Sequence, residues 1–249
     1  MLAFPGSYTY RLRSSDADAS GRMSLPALIN LMQDAAWQHA AALEASVEVL
    51  QAQGLTWVLS RMRVEIDRYP GMGESITLNT WPSGNERHYT FRDFRFLNEA
   101  GEEIGRGTTT WVVLDLKTRR PIPMPAEWHE RTQPPAGCNP ISRSMARWDP
   151  PEARPNSLRQ KVSWQHLDIN QHVNQTHYVR WALAPLPSAI NREAGCREID
   201  LIFRREILMG DALLLVAEPV GADEFSHAIY RETDQQLMAQ MRSTWEPLG

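Results

Sequence analysis

Apolar residues recur at helical spacing from Leu28 through Leu31, Met32, Ala35 and Ala36 towards Leu43, and then give way to alternation. Steps of three and four place these side chains on one stripe of a helix. Ser24 is a good N-cap for it, and Pro26 falls in the first turn, where a missing N–H costs nothing. Gly54 stops a second, short helix. Met62, Val64 and Ile66 alternate with Arg61, Arg63, Glu65 and Asp67, the pattern of a strand buried on one face. Ile76, Leu78 and Thr80 repeat it after the turn Pro70-Gly71-Met72-Gly73. Tyr89 and Phe91 share a face while Phe94 and Phe96 are out of phase, so a bulge is expected between them. A strand from Ile104 to Leu114 closes this meander, and a weaker alternation from Tyr8 to Arg13 precedes the helix.

Residues 121–155 hold nine of the 17 prolines and show no period, which predicts a linker lying over the surface. Beyond it the order returns. A strand is expected within Leu158–His166, then a helix capped by Asn174 and carrying Tyr178, Val179, Ala182 and Leu183. Leu201, Phe203 and Arg205 are expected to open the next strand, followed by Leu213–Ala217, Phe225–Arg231 and Leu237–Trp245.

The repetition extends to residues. Asp18-Ala19-Ser20-Gly21-Arg22-Met23-Ser24 matches Asp168-Ile169-Asn170-Gln171-His172-Val173-Asn174, Gly73-Glu74 matches Gly210-Asp211, and Thr110-Trp111 matches Thr244-Trp245. Three matches in one order indicate a duplicated module. The fold expected is α+β: two antiparallel sheets, each wrapping a long helix, over domains 1–120 and 156–249 joined by the linker 121–155.

Composition narrows the function. A net charge of -4 gives no overall basic field, so neither nucleic acid nor a membrane surface is an expected partner. The basic residues are almost all arginine, with only Lys117 and Lys161 as lysines. No stretch of 18 apolar residues occurs, and Met1-Leu2-Ala3-Phe4-Pro5-Gly6 lacks the pattern of an export signal, so a cytoplasmic protein is expected. Cys138 and Cys196 form no CxxC pair. His166, His172 and His177 lack zinc spacing. The calcium-like start at Asp16 has Ala27 where the bidentate Glu belongs. There is no phosphate loop and no dinucleotide fingerprint. No metal and no cofactor are expected.

The run Leu167-Asp168-Ile169-Asn170-Gln171-His172-Val173-Asn174, followed by Tyr178-Val179 and Trp181, resembles the signature of the plant acyl-ACP thioesterases. Further likenesses are Trp57-Val58, Val64 to Pro70, Gly73-Glu74, Thr80-Trp81, Arg92-Asp93, Trp111-Val112 and Thr118-Arg119-Arg120. The resemblance implies a tandem hotdog fold and hydrolysis of fatty acyl-ACP to free fatty acid, with acyl carrier protein as partner. It implies Asp168, Asn170, His172 and Glu206 as catalytic residues in the second hotdog, and an acyl pocket largely in the first. Leu28, Met32, Trp37 and Trp57 are the candidates to line or block that pocket. A homodimer is compatible with the reading. Where many plant members carry a cysteine after the glutamate, this chain reads Glu206-Ile207, and Cys196 lies ten residues earlier.

With no positioned Ser or Cys, water is the expected nucleophile. Glu206 can serve as its general base, its pKa raised by burial beside an acyl channel, and His172 can share that role or protonate the departing thiolate. Asn170 and free N–H groups at the helix start can donate to the oxyanion, and Asp168 can orient Asn170 or His172. In the first copy the matching positions are Asp18, Ser20 and Arg22, and an arginine cannot act as a base. The competing readings are an acyl-CoA thioesterase, a hydroxyacyl dehydratase and a non-catalytic acyl-binding module.

Overall fold

The structure, a computed structural model, describes residues 5–169 and 171–247, and the chain divides into two compact units between Arg143 and Ser144. In the first unit β1 (Gly6–Arg11) leads through a loop to α1 (Leu25–Ala42). The Ser24 hydroxyl accepts from the Ala27 N–H at 3.3 Å, and Pro26 sits in the first turn, as the sequence implies. Leu25, Leu28, Ile29, Met32, Ala35 and His39 form the buried stripe. The short α2 (Val47–Gln51) is followed by Gly54 at φ +74°, a backbone angle that favours glycine. Five strands complete the unit: β2 (Leu55–Ile66), β3 (Ser75–Glu86), β4 (Tyr89–Leu97), β5 (Glu103–Asp115) and β6 (Pro121–Ile122). The antiparallel order is β1-β3-β4-β5-β2, with β6 added at the end of β5.

One face of this sheet receives α1; Gly107 lets the Met32 side chain of the helix come close, and Gly105 makes room for the Phe96 ring of β4. A Cβ on Gly107 would lie 3.0 Å from the Met32 methyl, and one on Gly105 would lie 2.9 Å from the Phe96 ring. The expected bulge between Phe91 and Phe94 is absent, because β4 pairs with β5 without a break from Tyr89 to Phe96. The change of phase has another cause: both faces of β4 are covered. Phe94 and Phe96 are buried on the helix side, while Phe91 lies under the Arg143 guanidinium, 4.0 Å from the ring centroid. The irregularity falls instead in β3, between Pro82 and Asn85.

The segment 121–155 does not stand apart as a linker. Met124 and Trp128 join Leu50, Leu55 and Val113 in a buried cluster, so their apolar area holds residues 121–132 to the first unit. Farther on, the buried Asp93 carboxylate accepts from the Ile141 N–H at 2.7 Å, and Arg143 donates to the Ser83 carbonyl at 2.9 Å. Beyond the division the segment belongs to the second unit. Tyr230 donates to the Pro151 carbonyl at 3.0 Å, and the Gln240 amide to the Trp148 carbonyl at 2.9 Å.

The second unit repeats the plan with β7 (Leu158–Lys161), α3 (Gln175–Leu183), α4 (Ser188–Glu193), β8 (Ala194–Phe203), β9 (Ala212–Pro219), β10 (Glu224–Arg231) and β11 (Gln236–Pro247). Its antiparallel order, β7-β9-β10-β11-β8, is that of β1-β3-β4-β5-β2. α3 is only nine residues long, since Pro185 and Pro187 interrupt what is one helix of 18 residues in the first unit. β8 ends at Phe203 rather than beginning near it, so Arg205 and Glu206 lie in the loop beyond the strand.

The duplication holds bond for bond. Asp18 N–H donates to the Arg22 carbonyl and Asp168 N–H to the His172 carbonyl, both at 2.8 Å. Leu12 N–H donates to Glu74 at 3.0 Å and Val162 N–H to Asp211 at 2.9 Å. The Trp111 indole donates to Thr109 at 2.9 Å and the Trp245 indole to Ser243 at 2.8 Å. Even the register shifts coincide, with Ser60 of β2 and Arg197 of β8 left unpaired opposite these tryptophans.

Candidate active site

Two loops of the second unit, before α3 and after β8, carry the predicted acid and base. Residues 162–173 are tied to residues 207–211: Val162 N–H donates to Asp211, Gly210 N–H to Val162 at 3.2 Å, and Val173 N–H to Ile207 at 3.4 Å. This lacing brings His172 Nε2 to 3.8 Å from Glu206 Oε2. The gap is too long for a direct hydrogen bond, and it suits a water about 2.8 Å from each atom. The two side chains remain 40% and 31% exposed, so Glu206 lacks the burial expected of it.

Asp168 holds His172 by its backbone. Its carboxylate accepts from the His172 N–H at 3.3 Å, while its own N–H donates to the His172 carbonyl. Gln171, at φ +64°, turns the chain tightly between them. Asn170 lies outside the described residues. The helix start is more fully capped than the sequence suggests: Asn174 N–H donates to His166, and the Asn174 side chain accepts from Thr176 N–H at 2.9 Å. Gln175, the first residue of α3, retains an N–H with no hydrogen bond among the described residues.

Tyr178 is a member of the site that its helical spacing did not reveal. Its buried hydroxyl accepts from the Ile207 N–H at 3.1 Å, fixing the residue after Glu206, and Phe203 meets its ring edge to face. Burial first, then the Glu206, Asp211 and Asp168 carboxylates, push its pKa up and keep it protonated. Its partner is 29 residues away, and only a residue pair fixed in space discloses the role.

Other titratable groups are structural. The His166 ring lies 4.8 Å from that of His177 and 5.2 Å from Trp181, and His166 Nδ1 accepts from Ser163 N–H. Burial, then the neighbouring His166 and Arg180, lowers the His177 pKa. His227 is fully buried on β10 between the Ala182 carbonyl (2.7 Å) and the Ser243 hydroxyl (2.8 Å), and burial lowers its pKa to about 4. It therefore stays neutral, with Nδ1 donating to Ala182. The Cys196 thiol, buried on β8, is pushed up to about 12 by burial, which removes the thiolate a nucleophile needs. Among the described residues no three His, Cys, Asp or Glu side chains converge as a metal-binding set.

In the first unit Leu28 and Met32 are buried on the α1 stripe. Trp57 packs on the Leu50–Trp128 cluster and donates to the Ala45 carbonyl at 3.1 Å. Trp37 is 52% exposed, so it does not join Leu28 and Met32. The open depression between Thr9, Thr77, Leu97 and Glu99, on the same unit, contains none of these residues.

Residues 7–131 match the Acyl-ACP thioesterase N-terminal domain, and residues 151–247 match the Acyl-ACP thioesterase C-terminal domain. Among curated relatives, the chain is 31% identical over 214 residues to the chloroplastic palmitoyl-acyl carrier protein thioesterase of Gossypium hirsutum, with 80% of this chain and 51% of the relative covered. It is 26% identical over 257 residues to the enzyme of that description from Cuphea hookeriana, with 96% of this chain and 61% of the relative covered. The chain thus spans between half and two thirds of the length of these relatives. Among solved structures, an acyl-ACP thioesterase from Bacteroides thetaiotaomicron VPI-5482 aligns with a TM-score of 0.87 at 24% identity, covering 97% of this chain and 98% of its own. The 12:0-ACP thioesterase from Umbellularia californica aligns at 0.86 and 23% identity, covering 100% and 99%. These likenesses establish the α+β hotdog fold. The chain belongs to the acyl-ACP thioesterase family. Among the described residues no helix is long and apolar enough to cross a membrane.

Proposed function

We propose that the chain hydrolyses the thioester of a fatty acyl-ACP, releasing the free fatty acid and the carrier thiol. The observation that carries this reading is the 3.8 Å approach of His172 Nε2 to Glu206 Oε2 on two hydrogen-bonded loops. A water between them gives its proton to Glu206 as its oxygen attacks the acyl carbonyl. The Gln175 N–H, without a hydrogen bond among the described residues, stands at the positive end of α3 as a donor for the developing oxyanion, and the amide of Asn170 is assigned there by resemblance. Collapse of the tetrahedral intermediate breaks the C–S bond, and the proton taken up by Glu206 passes through His172 to the departing sulfur, which restores both groups. The first copy supports the assignment by contrast, since Arg22 and Tyr69 stand where His172 and Glu206 stand in the second. The buried face of α1 around Leu28 and Met32 is the proposed place for the acyl chain, and the exposure of Trp37 argues against including it.

The test is thiol release from a panel of acyl-ACPs, with the same acyl groups on CoA, at two salt concentrations. Carrier-dependent turnover that falls on the order of 100-fold or more in Glu206→Gln and His172→Ala supports the reading. Full activity in both variants removes the proposed mechanism. Turnover of no thioester leaves an acyl-binding module, and a preference for CoA leaves an acyl-CoA thioesterase.

A further inference from the structure

The paired loops share their backbone hydrogen bonds between the two copies and differ in what they show to solvent. Trp164 and Ile169, 68% and 80% exposed, and the exposed Leu208 and Met209 all lie on the two laced loops that carry His172 and Glu206. The matching positions of the first copy hold Ser14, Ala19, Gly71 and Met72, so three of the four large apolar residues are particular to the second copy. Charge has diverged in step. Arg68 of the first copy is paired with Glu74 at 2.8 Å. Its counterpart Arg205 has Asp211 in place of that glutamate, one methylene shorter. The Asp211 carboxylate is turned to the Leu208 N–H at 3.0 Å instead. Among the described residues the exposed Arg205 side chain has neither an ion pair nor a hydrogen bond. Asp67 of the first copy is likewise replaced by the exposed Arg204, held by Gln240 at 3.1 Å.

Large apolar side chains exposed together on two hydrogen-bonded loops cost the free protein and mark a surface that something else covers. Flanked by arginines, one of them with neither an ion pair nor a hydrogen bond among the described residues, such a surface is complementary to an acidic protein face that also exposes apolar side chains. We propose that Trp164, Ile169, Leu208 and Met209, with Arg204 and Arg205, form the face on which the acyl carrier protein docks. The inference rests on the reading that a carrier-bound thioester is the substrate, and it assigns the carrier to the rim of the His172–Glu206 site in the second unit. The apolar residues receive an apolar patch of the carrier, and the arginines receive its carboxylates.

The experiment compares one acyl group carried on ACP and on pantetheine, which lacks the protein surface. The double variant Trp164→Ser/Met209→Ser and the single variant Arg205→Gln should each raise KM for acyl-ACP by about 10-fold, with kcat and the pantetheine kinetics unchanged. Added salt should weaken the wild type on acyl-ACP more than Arg205→Gln. Met72→Ser, the control in the first copy, should leave both substrates as they are. Equal changes on both substrates, or none on either, overturn the proposal. So does a wild type that binds anionic lipid vesicles, if the variants lose that binding with acyl-ACP kinetics unchanged. A wild type that turns over pantetheine thioesters while the variants fail to separate the carriers refutes docking alone. A wild type that turns over neither refutes the hydrolase reading and this inference with it.

Discussion

The Tyr178 hydroxyl accepts a hydrogen bond from the Ile207 backbone N–H, joining the interior of α3 to the residue that follows Glu206. Tyr178→Phe removes the acceptor and leaves a buried amide without a partner, at a cost of about 1–3 kcal/mol. The expected outcome is a lower Tm together with a fall in kcat, because the Glu206 loop loses its tether while Leu28 and Met32, the proposed acyl-chain contacts, are untouched. A fall in stability with kcat intact would show that the lacing to residues 162–173 suffices to place Glu206.

Cys196 makes a separate prediction. Its sulfur is buried, donates to the Glu198 carbonyl at 3.4 Å, and has a pKa near 12, pushed up by burial. The extended course of β8 from Cys196 to Phe203 carries it on the order of 20 Å from the end of that strand, at about 3.3 Å per residue. Cys196→Ala should therefore keep wild-type turnover. In the native protein a thiol reagent should label Cys138, which is only partly buried, and reach Cys196 only on unfolding. Inactivation that tracks Cys196 modification in the folded protein would restore a covalent route.

Much of this architecture is legible because its determinants are local. The stripe of α1, the Ser24 and Asn174 caps and the loop repeat each depend on neighbours within a few residues, so periodicity and residue type carry them. Asp168, His172 and Glu206 are brought to the same two loops, and their grouping followed from motif likeness rather than from any period. The start of β8 was hidden because Arg197, Glu198 and Asp200 interrupt its apolar pattern, although Asp200 is itself buried. The bulge assigned to β4 was a misreading of two-sided burial, whose cause is an arginine far along the chain at Arg143. Tyr178 and His227 find partners 29 and 45 residues away, which no local pattern encodes.

Buried His227 should make stability depend on pH in a defined window. Its ordinary pKa is 6.5 and its folded value is about 4, so below 6.5 the unfolded chain takes up a proton that the folded chain refuses. Stability is full above pH 6.5, declines as pH falls towards 4, and then levels off, with a total loss of about 3 kcal/mol. Replacement by a residue that does not titrate, His227→Gln, should lower stability at neutral pH through the Ala182 and Ser243 hydrogen bonds, yet flatten the slope between pH 6.5 and 4. Asp93 acts with the opposite sign, because burial raises its pKa. It is common to both proteins, so the difference between their unfolding curves isolates His227. Parallel curves across that window would mean that the imidazole is protonated in the folded state.

Gly105 and Gly107, two residues apart on one face of β5, should respond differently to the same methyl group. On Gly105 it would meet the Glu65 carbonyl at 2.6 Å and the Phe96 ring at 2.9 Å. The first contact is backbone of a paired strand and cannot yield without moving β2, so Gly105→Ala should lose about 1–3 kcal/mol of stability. On Gly107 the nearest atom is the Met32 methyl at 3.0 Å, the flexible end of a side chain, with the Arg63 carbonyl at 3.3 Å. Met32 can turn aside at small cost, so Gly107→Ala should fold with nearly wild-type stability and push the thioether further under α1. If the acyl chain lies against that stripe, as proposed, Gly107→Ala should shift the preferred acyl group towards shorter chains on an acyl-ACP panel, while Gly105→Ala changes Tm without reordering it. A Gly107→Ala protein with normal stability and an unchanged chain-length profile would place the acyl chain elsewhere than beside Met32.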